Sequence, residues 1–344
     1  MKQQTAEAES LMVMSSVTVQ APARLHLGFL DLNAEIGRKF GSIGLAINSH
    51  HTTIQISSAE SFSIEGDCLT DDLQLKISQI CQRFYDSFGH QIPSANRRIS
   101  IRLKTVIPAH SGLGSGTQLA LTLGTALAKF HSLSINTPSL AKELGRGKRS
   151  GIGIATFDRG GFVIDGGLKP NQTVPPILTH IDFPTDWKIV LVMDPHHQGI
   201  HGAAELQAFK ELPIFPQANA RLISHITLMQ LLPSLIEQSA DEFGKAITDI
   251  QGLIGDHFAQ AQGGRYTSKR VEACLLHAQK LGHTGIAQSS WGPTGCIFVE
   301  NGIQAKQLIQ ELEQFVDNTF SDDNTPTFIQ TSADNRGAVI ESTM

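Results

Sequence analysis

The chain has 344 residues, 40% of them hydrophobic, with 27 basic against 32 acidic side chains and a formal net charge of −5. That length can bury two cores, and the charge balance supplies no long-range attraction for nucleic acid or for an anionic membrane surface. Cys68, Cys81, Cys274 and Cys296 stand far apart with no CxxC pair, so neither a disulfide framework nor a zinc site is indicated, and reduced thiols in a cytoplasmic protein follow.

Residues 1–15 read as a disordered leader, because the apolar run Leu11 to Met14 is too short for a signal sequence and Glu7 and Glu9 precede it. No segment approaches the length of a membrane span. Val17 to Leu30 reads as a strand with a bend at Pro22. After a polar loop carrying Arg38 and Lys39, Ile43 to Ser57 reads as a hairpin turning at Asn48-Ser-His-His. Ile77, Ile80, Cys81, Phe84 and Phe88 recur at three- and four-residue steps, which predicts an amphipathic helix over Asp71 to Phe88. Ile99, Ile101 and Leu103 then alternate with polar residues, a strand that delivers the chain to Pro108-Ala-His-Ser-Gly-Leu-Gly-Ser-Gly-Thr117.

In that stretch Gly112, Gly114 and Gly116 let the backbone turn tightly and approach a ligand, with Leu113, Ser115 and Thr117 between them. The helix that follows is apolar on nearly every face and aims its N-terminal dipole at the same place, so the outline is a phosphate cradle without the lysine of a P-loop. The plain alternative is a helix N-cap formed by Ser115 or Thr117. After a short helix from Pro138 to Leu144, the run Gly145 to Gly153 interleaves Arg146, Lys148 and Arg149 with four glycines. It offers a second set of phosphate donors, or else a solvated basic loop. Phe157 to Gly167 reads as a turn, a short strand and another turn.

A domain boundary is expected in the Pro-rich connection Lys169 to Asp186. The strand Trp187 to Met193 ends at Asp194-Pro-His-His-Gln-Gly-Ile-His201, where His196, His197 and His201 raise a metal hypothesis against that of a polar loop with one functional histidine. Helices follow at Arg221 to Ser239, Asp241 to Phe258 and Ser268 to Leu281. A strand near Gly285, the turn Gln288 to Gly295, a strand Cys296 to Glu300, a helix Ile303 to Phe315 and a strand Thr327 to Thr331 close the chain. The alternation suggests α+β layers.

Three segments in order, Ala21 to Asp31, Pro108 to Thr117 and Ser289 to Thr294, give the chain a resemblance to the GHMP kinase superfamily. Two departures stand out. Gly153 occupies the position where kinases of the family carry the carboxylate that activates the substrate hydroxyl, and Arg24 stands where they usually carry lysine. The phrases Arg24 to Asp31, Gly37-Arg38 with Gly41 to Ile47, Arg146 to Gly151, Phe157 to Phe162 and Gln288 to Thr294 resemble in particular the β-ribofuranosylaminobenzene 5′-phosphate synthase family.

The resemblance implies a GHMP-kinase-like two-domain α+β fold, with a ribosomal-S5-like phosphate-binding domain over residues 16–180 and a ferredoxin-like domain over 181–344. It implies condensation of 5-phosphoribosyl 1-diphosphate with 4-aminobenzoate, releasing carbon dioxide and diphosphate, in tetrahydromethanopterin biosynthesis. It further implies small-molecule partners, without nucleic acid or membrane, and a homodimer. Arg24, His26, Arg149 and Asp165 form the expected catalytic set, with Arg24 on the acceptor carboxylate. Gly112 to Thr117, Arg146 and Lys148 bind phosphate, and Arg38, Ser290, Trp291, Gly292 and Thr294 bind substrate. Trp291 either stacks on the arene or closes the domain interface as a core aromatic. Asp31, with Asp165 as a second candidate, would hold Mg2+ on the diphosphate, or either is a turn-capping Asp. An ATP-dependent small-molecule kinase and a non-catalytic phosphoribosyl-ligand sensor are the competing functions.

Overall fold

The computed structural model describes residues 15–199, 202–322 and 324–343, so the expected leader lies outside the described residues up to Ser15. Strands β1 (Ser16–Asp31) and β2 (Phe40–Ser58) pair antiparallel across the polar loop. Pro22 opposes His51 while Ala23 opposes Ile47, so Asn48, Ser49 and His50 have no partners on β1. Pro22 has no N–H to donate, and the ladder breaks where it sits. The tetrapeptide expected to turn a hairpin is therefore a bulge within one long strand. The Asn48 carboxamide oxygen accepts hydrogen bonds from Thr331 Oγ1 and Ser332 N, at 3.0 and 3.2 Å, which fixes the bulge to the far end of the chain.

Beyond β3 (Ser63–Glu65) comes α1 (Asp71–Phe88), over the expected range, capped by Thr70, whose side chain accepts from Leu73 N. β4 (Ile99–Thr105), α2 (Ser115–Phe130), α3 (Thr137–Glu143) and α4 (Ile152–Arg159) follow. Phe157-Asp-Arg, expected as a turn, is the last turn of α4, which ends at Gly160 in a left-handed φ of 67°. β5 (Phe162–Asp165) pairs with β2, and β6 (Ile177–Ile181), inside the Pro-rich stretch, pairs with β5. The first sheet runs β11-β1-β2-β4-β3 with β5 and β6 attached, β11 being Val339–Thr343 from the end of the chain.

The second sheet runs β10-β7-β9-β8, with β7 Lys188–Met193, β8 Gly285–Gln288, β9 Gly295–Val299 and β10 Thr327–Thr331. Its strands are antiparallel in the spatial order fourth, first, third, second, the ferredoxin-like arrangement. Between β7 and β8 lie α5 (Gly202–Glu211), α6 (Gln217–Ile226), α7 (Leu232–Ile236), α8 (Ala240–Gln262) and α9 (Lys269–Lys280); α10 (Gly302–Thr319) precedes β10. One π turn, Thr227–Leu231, joins α6 to α7. Sequence periodicity read that pair as one segment and gave no sign of α5.

Alternation in β7 explains the layering. Val190 and Val192 face α9 and α10, while Ile189 and Leu191 face a central core shared with Leu25, Leu27, Ile43 and Leu45 of the first sheet. The α8 stripe Phe243, Ile247, Ile250, Ile254 and Phe258 fills that core between the two sheets, each side chain contributing about 1.5–3 kcal/mol. A third core packs α1 and α2 on the other side of the first sheet. Both sheets are thereby held rigidly at one seam, and the glycine loop lies there. No helix among the described residues is long and apolar enough to cross a membrane.

Candidate active site

The seam is made by two glycine turns in backbone contact. A Cβ on Gly112 would collide with Ser289 O, and one on Gly292 would collide with Gly112 Cα and Ser111 O. Ser289 Oγ donates to Gly112 O at 2.8 Å and accepts from His26 N at 3.0 Å, and Ser290 N donates to His26 O at 2.9 Å. The turn expected to pack against the glycine loop does so, with β1 as the third partner. Arg24 N donates to Leu113 O at 3.1 Å and Arg24 Nη1 to Gly112 O at 2.5 Å. Leu25 and Leu27 point into the central core, so Arg24 and His26, two residues apart, share the opposite face of the strand.

Gly114 is the N-cap of α2, in a left-handed conformation (φ 85°), and no side chain caps the helix. This rules out the plain alternative in which Ser115 or Thr117 caps it. The first N–H groups of α2 therefore face a cavity of about 410 Å³. The cavity wall carries Gly112, Gly114, Ser115, Gly116 and Thr117 from the loop, Arg146, Lys148 and Arg149 from the basic run, Arg24 and His26 from β1, and Ser290, Trp291 and Gly292 from the far turn. His110 and Ser290 line it in left-handed conformations, at φ 59° and 58°, a strain that recurs at functional sites.

Five predicted residues lie elsewhere. Leu113 is fully buried and anchors the loop in the core. Thr294 is buried too, its carbonyl accepting from Ser289 N. Asp31 caps its own loop, Oδ1 accepting from Asn33 N and Ala34 N at 2.7 and 3.0 Å. Arg38 Nη1 donates to the carbonyls of Gly166 and Gly167 at 3.2 and 2.9 Å. Asp165 accepts from Gly167 N at 2.9 Å and Gly151 N at 2.7 Å, so it fastens the end of the basic run instead of facing the cavity. Burial raises its pKa to about 6, against the pull of those two N–H groups. These placements correct the expected contacts of Asp31, Arg38, Asp165 and Thr294 with substrate: the first three hold loops, and none of the four is on the cavity wall. Asp31 and Asp165, the candidate magnesium ligands, thus stand off the cavity wall with backbone N–H groups on their carboxylates.

Sequence reasoning missed Glu205 of α5, which enters the cavity and pairs with Arg149 at 2.8 Å. Phe29 is also on the wall, a position that its place in a strand pattern does not signal. Among the described residues no group of three or more His, Cys, Asp and Glu is placed to hold a metal ion. Asp194 accepts from His196 N and from Ser268 Oγ, the cap of α9, while His201 lies outside the described residues.

The GHMP kinases N terminal domain matches residues 76–161 and the GHMP kinases C terminal domain matches residues 231–318. The chain is 32% identical over 335 residues to a β-ribofuranosylphenol 5′-phosphate synthase from Archaeoglobus fulgidus, covering 94% of this chain and 99% of that one. The chain belongs to this synthase family within the GHMP kinase superfamily. A synthase of the same name from Methanothermobacter thermautotrophicus is 28% identical over 292 residues, 80% of this chain and 86% of that one. The fold agrees: the homoserine kinase from Cytophaga hutchinsonii superposes with a TM-score of 0.66 at 15% identity, over 98% of this chain and 100% of that chain. The glycine loop and basic run fall in the first matched domain and the Ser289–Thr294 turn in the second, while β1 precedes both.

The electrostatics of this family member's cavity are strongly positive. Four cations stand against the single carboxylate Glu205 among the described wall residues. Burial lowers the Arg24 pKa to about 10, with Glu205 opposing, so Arg24 stays charged at neutral pH. Burial first, then the charges of Arg24 and Arg149, depress His26 to about 3. A histidine whose folded pKa is depressed costs stability as pH falls from 6.5 toward 3, because only the unfolded chain takes up its proton there. His26→Asn is therefore expected to lose about 2 kcal/mol less than wild type between pH 7 and pH 5 in urea unfolding. In the folded protein the His26 ring should show no NMR titration over the same span; a midpoint near 6.5 would refute its burial as a neutral ring.

Proposed function

We propose that the chain is a C-ribosyl transferase that joins 5-phosphoribosyl 1-diphosphate to a para-substituted benzoate with loss of carbon dioxide and diphosphate, in tetrahydromethanopterin biosynthesis. The observation that carries it is the cavity, whose described wall residues bring an uncapped helix N-terminus and four cations together with one carboxylate. That suits a ligand with two separate phosphate groups. The names of the relatives support ribosyl transfer to an arene, and they give the product a phenol where 4-aminobenzoate would give an aminobenzene.

The chemistry needs stabilisation of a departing diphosphate and of an oxocarbenium-like ribosyl carbon. Gly114 to Thr117 and the Arg146 to Arg149 run would hold the phosphate groups; magnesium belongs to this reading only as counter-ion of the diphosphate. Conversion of an α-diphosphate to a β-riboside is one inversion, so the arene must lie on the opposite face of the ribose. Trp291, His26 and Phe29 form an aromatic wall, and the buried Trp291 indole N–H has no hydrogen-bond partner among the described residues. Phe258 and Phe209 back the indole at centroid distances of 4.5 and 5.4 Å, so Trp291 is at once part of an aromatic core and part of the wall. Arg24 would hold the acceptor carboxylate until it leaves. Since the carboxylate departs in place of a ring proton, no base is required at position 153.

A second reading, an ATP-dependent kinase, is favoured by one feature. A cavity of about 400 Å³ on the other side of the glycine loop is walled by Leu73, Ile80, Val106, Ile107 and Leu119, a suitable place for a flat heterocycle. Against it, a Cβ at Gly153 would lie 2.9 Å from Thr117 Cγ2, leaving no room for the kinase carboxylate without movement of Thr117. Incubation with carboxyl-labelled 4-aminobenzoate or 4-hydroxybenzoate and phosphoribosyl diphosphate is expected to release labelled carbon dioxide and diphosphate in equal amounts. Acceptor-dependent ADP release from ATP would favour the kinase, and binding of the sugar diphosphate without carbon dioxide would favour a sensor.

A further inference from the structure

The cavity has one feature for which a polyanionic sugar gives no use. Glu205 is the only carboxylate on its wall among the described residues, and its side chain is 18% exposed. A carboxylate among four cations repels the phosphates the cations attract. Its placement is specific: Glu205 and Phe209 are four residues apart on one face of α5, and the Phe209 ring packs against Trp291 at 5.4 Å and Phe29 at 6.3 Å. Arg149 lies over the same ring at 5.1 Å. The helix thus carries the aromatic backing and the carboxylate together, and the field of Glu205 reaches Arg24. An aromatic slot with a cation able to hold a carboxylate and an acidic group on the same wall is complementary to a flat acid bearing a hydrogen-bond donor.

We propose that Glu205 determines the acceptor by receiving the donor group para to the carboxylate, accepting a hydrogen bond from an amino group or the proton of a hydroxyl. The assignment rests on the ribosyl-transfer reading. With a hydroxybenzoate, the O–H proton passes to the Glu205 carboxylate and the oxygen electron pair enters the ring. The carbon bearing the carboxylate bonds to C1 of the ribose as the C1–O bond breaks and diphosphate leaves with its electron pair. The carbon–carboxylate bond then breaks, its electrons restore the ring, carbon dioxide departs, and the proton returns from Glu205 to the oxygen. With an aminobenzoate the nitrogen lone pair suffices, and the carboxylate only accepts from the N–H that becomes positive. A neutral hydroxyl is the poorer electron donor, so the hydroxy acid depends more on Glu205.

The test compares Glu205→Gln with wild type in three measurements: turnover of 4-hydroxybenzoate and of 4-aminobenzoate, the inhibition constant of benzoate, and the Kd of phosphoribosyl diphosphate. The variant is expected to lose about 100-fold in kcat/KM with the hydroxy acid and about tenfold with the amino acid. Benzoate, which lacks the para group, should inhibit both proteins equally, and the sugar diphosphate should bind the variant as tightly as wild type or more tightly, since one repelling charge is gone. If wild type accepts only one of the acids, a loss for that acid against unchanged benzoate inhibition supports the proposal equally well. Equal losses for benzoate and the substituted acids, or a weakened sugar diphosphate Kd, would overturn the proposal and leave Glu205 as a strut for Arg149. No labelled carbon dioxide from wild type with either acid would instead sink the ribosyl-transfer reading itself.

Discussion

Arg24→Ala is expected to lower kcat/KM by roughly 100- to 1,000-fold, about 3–4 kcal/mol of lost interaction. Three separate losses add up to that figure. The guanidinium donates to Gly112 O at 2.5 Å, so its removal leaves that carbonyl to Ser289 Oγ alone. The side chain also lies along the loop, where a Cβ on Gly114 would sit 3.1 Å from Arg24 Cγ, so truncation opens space directly under the helix N-cap. Finally, the charge that is proposed to hold the acceptor carboxylate disappears while Glu205 stays. Arg24→Lys keeps a charge without the planar fork and should recover only part of the activity. Calorimetric titration of the aromatic acid gives the check, and unchanged affinity in Arg24→Ala would remove this residue from the acceptor site.

The second large effect is steric. Gly292 has no left-handed φ to explain its lack of a side chain; its reason is the close approach of another backbone. A methyl group there would collide with Gly112 Cα and Ser111 O, both main-chain atoms that no side-chain rotation can move. Gly292→Ala must therefore push the Ser289–Thr294 turn off the glycine loop, at a cost of about 3 kcal/mol or more. Because the same contact joins the two halves of the cavity wall, binding of phosphoribosyl diphosphate should fall together with the midpoint of urea unfolding. Wild-type stability and binding in Gly292→Ala would show that the two turns are not in contact.

Legibility of the fold followed the range of the interactions. The helix over Asp71 to Phe88 was readable because its spacing and its Thr70 cap are local facts. The hairpin expected at Asn48 was not, because what converts those residues into a bulge is Pro22 on the neighbouring strand and the end of the chain at Ser332. Helix α5 is short and followed no clear apolar stripe, so Glu205 passed unseen. In the site the same division holds. The glycines and cations were visible as residue types suited to phosphate, Arg38 as one more cation and Asp165 as a carboxylate suited to catalysis or magnesium, but these last two bind loop carbonyls and N–H groups that only folding supplies.

Residue chemistry along the chain was enough to establish an α+β protein with a glycine-rich phosphate loop, a basic run and a tryptophan turn, and the resemblance carried by these segments set the family. None of it could say which charged groups face the same space. That depended on the seam between two sheets, where β1, the helix N-terminus at Gly114 and the turn at Gly292 meet through main-chain contacts that span most of the sequence, from Arg24 to Gly292. Local pattern fixes the direction of a side chain relative to its own strand or helix. Which partner waits on that side is set by long-range packing, and so the place of Glu205 on the cavity wall, the neutral state of His26 and the fate of each aspartate emerged only once the two sheets were brought together.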